Sequence, residues 1–137
     1  MKLAIIGSRT FRDYDLLRRA IDTHFSDFCQ GGMDGYYEPH FDEVVSGGAV
    51  GADQLAERWV HDYNKEMGEE CKESWIKMTI FKPDWDKHGK SAGFIRNEDI
   101  IKACDECLCV WDGLSRGTAN SLAIAKRLKK PTLIIYF

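Results

Sequence analysis

The chain has 137 residues, 44% of them hydrophobic and 30% charged, with a net charge of −3. That size suits one compact domain with its own core, and that balance excludes a disordered chain. The mildly acidic total argues against a nucleic-acid footprint over the whole surface, and no apolar run is long enough for a membrane span.

The opening "MKLAIIGSR" is too short in its apolar part for an export signal, so a cytoplasmic location is expected. It predicts a strand over Leu3–Ile6 that runs into Gly7, Ser8 and Arg9. Tyr14, Leu17, Ile21, Phe25 and Phe28 then recur at helical spacing. The stretch Cys29–Asp42, rich in glycine with one proline, is expected to be a loop. A second strand at Glu43–Val45 leads into "SGGAVGAD", Ser46 to Asp53, and a helix follows through Leu55, Trp59, Tyr63 and Met67. After a second loop at Gly68–Trp75 comes a third strand, Lys77–Phe81. The connector "KPDWDKHGKSAGFIRN" spans Lys82 to Asn97, and Ile95, Ile100, Ile101 and Cys104 fit a shorter helix. The fourth strand, Cys107–Trp111, leads into "DGLSRGT", Asp112 to Thr118. Leu122, Ala125 and Leu128 mark a last helix stopped by Pro131, and Thr132–Tyr136 closes the chain.

Several strands are apolar on consecutive residues, which is expected of parallel strands covered on both faces. The alternation predicts an α/β fold: one Rossmann-like, doubly wound domain over residues 1–137. Its mostly parallel sheet would have about five strands, with helices on both faces. The five cysteines are an odd number and are read as reduced thiols. Cys104 and Cys107 form a C-x-x-C, but no second pair stands at zinc-ribbon spacing, and Cys107 and Cys109 alternate along a strand. No metal or other cofactor is predicted.

Ligands of such sheets bind beyond the carboxyl ends of the strands, where strand order reverses. The first strand brings Gly7, Ser8 and Arg9 to that rim. The second brings Ser46, Gly47, Gly48, Ala49, Gly51 and Asp53. The third connector adds Asp84, Lys90, Arg96 and Asn97. The fourth adds Asp112, Ser115, Arg116, Gly117 and Thr118. Glycine turns, open helix N-termini and arginines together suit a phosphate or carboxylate. Each feature also has a plainer reading. Gly47, Gly48 and Gly51 would serve a tight turn, and Asp53 a helix start. Trp85 and Trp111 would pack in the core, His88 would sit in a loop, and Arg96 would form a surface ion pair. Two glycine-rich turns in one small sheet favour the ligand.

Three catalytic or nucleotide motifs fail on inspection. "HGKS" resembles a P-loop end, but Asp84 stands where its first glycine belongs. "GLSRG" fits a nucleophile elbow at Ser115, yet no Asp, Glu or His follows it to complete a triad. "GGAVGAD" is not the dinucleotide fingerprint and follows the second strand instead of the first.

"GSR", "VSGGAVGADQLAERW", "KPDWDKHGKSAGFIRN" and "VWDGLSRGTANSLAIAKR", in that order, resemble the YspA/cpYpsA-related branch of the SLOG superfamily. The resemblance spans nearly the whole chain and departs in the two loops. It implies a Rossmann-like fold and binding of a nucleotide or nucleotide-derived signal, as in a sensor. It also brings two alternatives: nucleotide N-glycoside hydrolysis as in the LOG enzymes, and single-stranded nucleic-acid binding as in DprA. Gly117 and Thr118 match the G-T of the LOG pattern P-G-G-x-G-T-x-x-E, and Ser121 stands in place of its glutamate. The resemblance therefore implies a kept phosphate cradle without the catalytic acid. Asp53 and Asp112 are the best-placed replacement carboxylates, with Glu98 a further one. The acidic net charge argues against nucleic acid. A homodimer or higher homo-oligomer is expected, with the aromatic pairs Tyr36–Tyr37 and Tyr136–Phe137 available for contact.

Overall fold

In the computed structural model, which describes residues 1–31 and 33–137, the strand β1 (Lys2–Gly7) lies at the centre of a five-stranded sheet. Its residues Leu3 to Ile6 are all buried, because helices cover both faces. The other strands of this sheet are β4 (Glu43–Ser46), β5 (Lys77–Ile80), β6 (Glu106–Trp111) and β7 (Thr132–Tyr136). Their order is β5-β4-β1-β6-β7, and every neighbouring pair is parallel. The chain builds outward from β1 to β5, then crosses back to place β6 on the other side of β1. The fold is therefore a doubly wound, Rossmann-like α/β sheet, with its switch point between β1 and β6.

Side chains alternate across the sheet with the period of a strand. Leu3, Ile5, Val44, Leu108 and Val110 face one layer, built by α1 (Tyr14–His24) and α2 (Ala52–Met67). Ala4, Ile6, Val45, Cys107 and Cys109 face the other, built by α4 (Ala92–Ala103) and α5 (Arg116–Arg127). The cysteines thus behave as small core residues. Burial raises the thiols of Cys104 and Cys107, and pushes Cys109 up to about 12. Local signals set the helix ends: Asp13 caps α1 by accepting from the Leu16 N–H at 3.0 Å, and Gly68 ends α2 at φ +84°.

Three expectations from the sequence are corrected. The first helix stops at His24, and Phe28 lies instead in β2 (Ser26–Cys29), 56% exposed. The stretch read as a loop after Cys29 contains β3 (Tyr36–Pro39), which pairs antiparallel with β2 as a separate hairpin. A strand with neither face in the core has no hydrophobic period to betray it, so propensity alone marks it. The connector after β5 also carries a helical turn, α3 (Trp85–His88), which places His88 in a helix and leaves Trp85 56% exposed, not packed. Short 3₁₀ turns occupy Glu69–Ser74 and Gly89–Ser91. Among the described residues, no helix is long and apolar enough to cross a membrane.

One glycine shows how tightly the strand exits are drawn together. Gly51 sits at φ +89°, and a Cβ there would lie 2.5 Å from the Ser8 carbonyl oxygen and 2.6 Å from the Arg9 backbone. Neither neighbour can yield, since both are backbone. Gly51→Ala should cost about 3 kcal/mol or more of stability. Urea unfolding measures it; a loss below about 0.5 kcal/mol would show that the β1 and β4 exits do not meet there.

Candidate functional site

The switch point opens into a cleft of about 330 Å³. Four connections form it. From the exit of β1 come Gly7, Arg9 and Thr10; from the exit of β4, Ala49 and Asp53. Arg96, Asn97 and Ile100 stand one helical face apart on α4, at the spacing that puts residues three and four apart together. Asp112, Ser115, Gly117, Thr118 and Ser121 line it from the β6 exit and the start of α5.

Arg96 is the most firmly placed of these. Its Nη1 donates to the Gly47 carbonyl at 2.7 Å, and its Nε donates to Asn97 Oδ1 at 3.0 Å. Burial, with Arg9 adding like-charge repulsion, lowers its pKa, while Asp53 opposes that shift. Among the described residues it forms no ion pair, the plainer of its two readings, and its Nη2 donors have no partner. Asn97 reaches across to the Gly117 carbonyl at 3.4 Å and so ties α4 to α5.

The two carboxylates of the cleft differ. Asp112 Oδ1 accepts from the Leu114 and Ser115 N–H groups, both at 2.8 Å, and these bonds hold its pKa below the ordinary carboxylate range. It is committed to its own turn. Asp53 is 7% exposed, and burial raises its pKa although Ala49 N–H donates to Oδ2 at 3.2 Å. Of the two, Asp53 is the group able to hold or take a proton near the cleft.

The start of α5 has no side-chain cap. Ser115 Oγ pairs with Thr118 Oγ1 at 3.2 Å, and the first intrahelical bond runs from Ala119 N–H to the Ser115 carbonyl. The amides of Gly117 and Thr118 therefore face the cleft end of the helix dipole. A Cβ on Gly117 would meet nothing within 4 Å, so this surface is open to a ligand.

Other predicted residues have structural work beside the cleft. A Cβ on Gly47 would lie 2.6 Å from Arg96 Nη1, and one on Gly48, at φ +72°, 2.9 Å from Ile80. With Gly51 against Ser8 and Arg9, the bareness of this turn is explained by protein neighbours. Ser46 Oγ donates to the Ile5 carbonyl at 2.6 Å, and Ser8 Oγ accepts from the Asp112 N–H at 3.1 Å. Asp84 caps α3, accepting from Lys87 N–H at 3.1 Å, Lys90 lies in the exposed 3₁₀ turn, and Arg116 is exposed; none of the three lines the cleft. Ile6, Thr10, Ile100 and Ser121 line it without having been chosen from sequence. Thr10 directly follows Arg9, and Ile100 is four residues past Arg96, so both were signalled by spacing. Trp111 packs partly buried, donating its indole N–H to the Ser115 carbonyl at 3.1 Å.

Over 133 residues the chain is 29% identical to the Gene 61 protein of Mycobacterium phage D29, a stretch covering 96% of this chain and 94% of that protein. No family model and no solved structure matches this chain.

Asp53 keeps its proton to higher pH in the folded chain than in the unfolded one. Its contribution to stability is therefore complete below the ordinary carboxylate range and declines as pH rises toward the folded value. The stability of the wild type minus that of Asp53→Asn should fall as pH rises from about 3 to about 6. Urea unfolding at stepped pH gives the difference, and a flat profile would mean that Asp53 ionises as freely folded as unfolded.

Proposed function

We propose that the chain is a SLOG-type module that binds a nucleotide or a nucleotide-derived small molecule, as a sensor would. One observation carries this reading: the open amides of Gly117 and Thr118 share a cleft with the guanidinium groups of Arg9 and Arg96. Helix amides and arginines suit phosphate oxygens. Asp53 and the Oδ2 atom of Asp112, which the turn's own bonds leave free, supply acceptors in the same cleft, which suits ribose hydroxyls. A bare phosphate would gain nothing from these carboxylates, whereas a nucleotide uses both kinds of group. The volume fits a small ligand.

The second reading, hydrolysis of a nucleotide N-glycoside, is favoured by one feature: the buried Asp53, whose pKa burial raises, lines the cleft. Ser121, which the resemblance sets in place of the LOG glutamate, lines the same cleft, with its Oγ donating to the Gly117 carbonyl at 3.2 Å. Catalysis would then fall to Asp53.

Ligand-observed proton NMR with mononucleotides, dinucleotides, ADP-ribose and cyclic forms, followed for a day, separates the two. Broadening without new signals supports a binder; free base or ribose phosphate released over time, and lost in Asp53→Asn, supports the hydrolase. The sharpest variant is Gly117→Asp. It places a carboxylate in open space at a helix start, where negative charge is favourable to the helix. The melting temperature should hold or rise while affinity for the phosphate-bearing ligand falls at least about tenfold. Unchanged affinity in the folded variant would remove the α5 start from the site.

A further inference from the structure

A second cavity, of about 460 Å³, lies among α1, the β2–β3 hairpin and α2. It is separate from the switch-point cleft and shares no residue with it. Its walls are aromatic. Trp59 and Tyr63 stack on α2 with centroids 5.3 Å apart and an interplanar angle of 16°. The hairpin supplies Tyr36 and Tyr37, 56% and 47% exposed, and α1 supplies Tyr14.

The charge around these rings is lopsided. Asp22, Asp62 and Glu66 line the cavity against the single cation Arg18. Arg18 is drawn toward Asp15, 3.6 Å away, and Asp62 is held by the Tyr14 hydroxyl at 2.8 Å and by Arg58 at 3.6 Å. Asp22 and Glu66 have no ion pair or hydrogen bond among the described residues. Burial raises the pKa of Asp22; Arg18 lowers it, and Glu66 raises it further. Two unpaired carboxylates beside exposed ring faces form a setting that a cation relieves. The protein already shows the preference at the rim, where the Arg58 guanidinium carbon sits 3.9 Å from the centre of the Tyr14 ring.

We propose that this aromatic cavity binds a small organic cation, an ammonium or guanidinium compound, with its charge set against Asp22 and Glu66 and its body against Tyr36 and Tyr63. Aromatic faces select cations over neutral compounds, and the carboxylates select them over anions. This site does not depend on the nucleotide reading.

The test uses the full chain, with agmatine, putrescine and choline as probes and the neutral diol analogue of putrescine as control. Ring-proton shifts of the tyrosines and Trp59 report binding, and calorimetry gives affinity. At least one cation should bind with a Kd of about 1 mM or tighter, and the diol should not. Glu66→Gln, an exposed and conservative change, should weaken binding about tenfold, as should Tyr36→Ala. No shift at about 10 mM of any cation would overturn the proposal. So would equal binding of the diol, or affinities indifferent to both variants, which would mark loose attraction to an acidic surface. Nucleotide affinity should be the same in both variants, which keeps this test apart from that of the switch-point cleft.

Discussion

Ser8 holds three strand exits together, and the candidate site depends on it. Its N–H donates to the Val110 carbonyl of β6 at 2.9 Å. Its carbonyl accepts from Ala52 N–H, at the start of α2, at 3.3 Å and from Phe11 N–H at 3.2 Å. Its hydroxyl accepts from the Asp112 N–H beyond β6. The residue is 1% exposed, so these bonds form away from water, where leaving any one unmade is costly. Glycines on either side let the strands close in: a Cβ on Gly7 would lie 2.2 Å from the Val110 carbonyl oxygen, and Gly51 presses on Ser8 itself. The cleft opens beside this knot, so its floor is fixed before any ligand arrives.

That knot also separates what the sequence made legible from what it did not. Consecutive apolar residues in β1, β4 and β6 announced a parallel sheet because both faces are buried, whereas the place of the switch point, between β1 and β6, came only with the spatial order of the strands. Gly7, Ser8, Arg9 and the Asp112–Thr118 turn were found because the rim of such a sheet is where strands end. The reason for the glycines in "SGGAVGAD" was not legible. Apart from Asp53, which lies in the same stretch, their neighbours are Arg96, Ile80 and the backbone of Ser8 and Arg9, all distant in sequence. A glycine forced by a protein neighbour and one left bare for a ligand read alike in one dimension. Gly117 has nothing near its absent Cβ, as have Gly89 and Gly113, but of these three it alone lines the cleft. The hairpin escaped notice for another reason: its strands have exposed or half-exposed side chains throughout, so no alternation of burial was written into them.

The cleft is amphoteric, and its charges are held by unequal means. Asp112 is stabilised as a carboxylate by two amides of its own turn and is thereby a fixed negative group. Asp53 is penalised as a carboxylate by burial, offset in part by the Ala49 N–H and Ser46 and then by the charge of Arg96. Arg96 in turn spends Nη1 and Nε on protein groups, which aims the rest of its planar fork. A guanidinium held in this way loses little freedom when it meets an anion, so its contacts favour binding more than those of an exposed lysine such as Lys90.

The helix α2 joins this cleft to the aromatic cavity, with Asp53 in its first turn and Tyr63 and Glu66 near its end. Its sixteen residues, rising about 1.5 Å from each to the next, put the two ends about 22 Å apart. Coupling over that distance needs an element with two packed arrangements. The buried side of α2 offers little room for a second. Ala52 and Ala56 are fully buried, and Ala52 stands 2.9 Å from where a Gly7 Cβ would be, so the helix start is seated against β1 with no slack. At the other end Asn64 brackets Ile76, donating to its carbonyl at 2.9 Å and accepting from its N–H at 2.8 Å. A helix pinned at its start to β1 and near its end to the residue that leads into β5 transmits little motion. Opposite charge preferences can therefore occupy its two ends as independent sites, each set by local side chains.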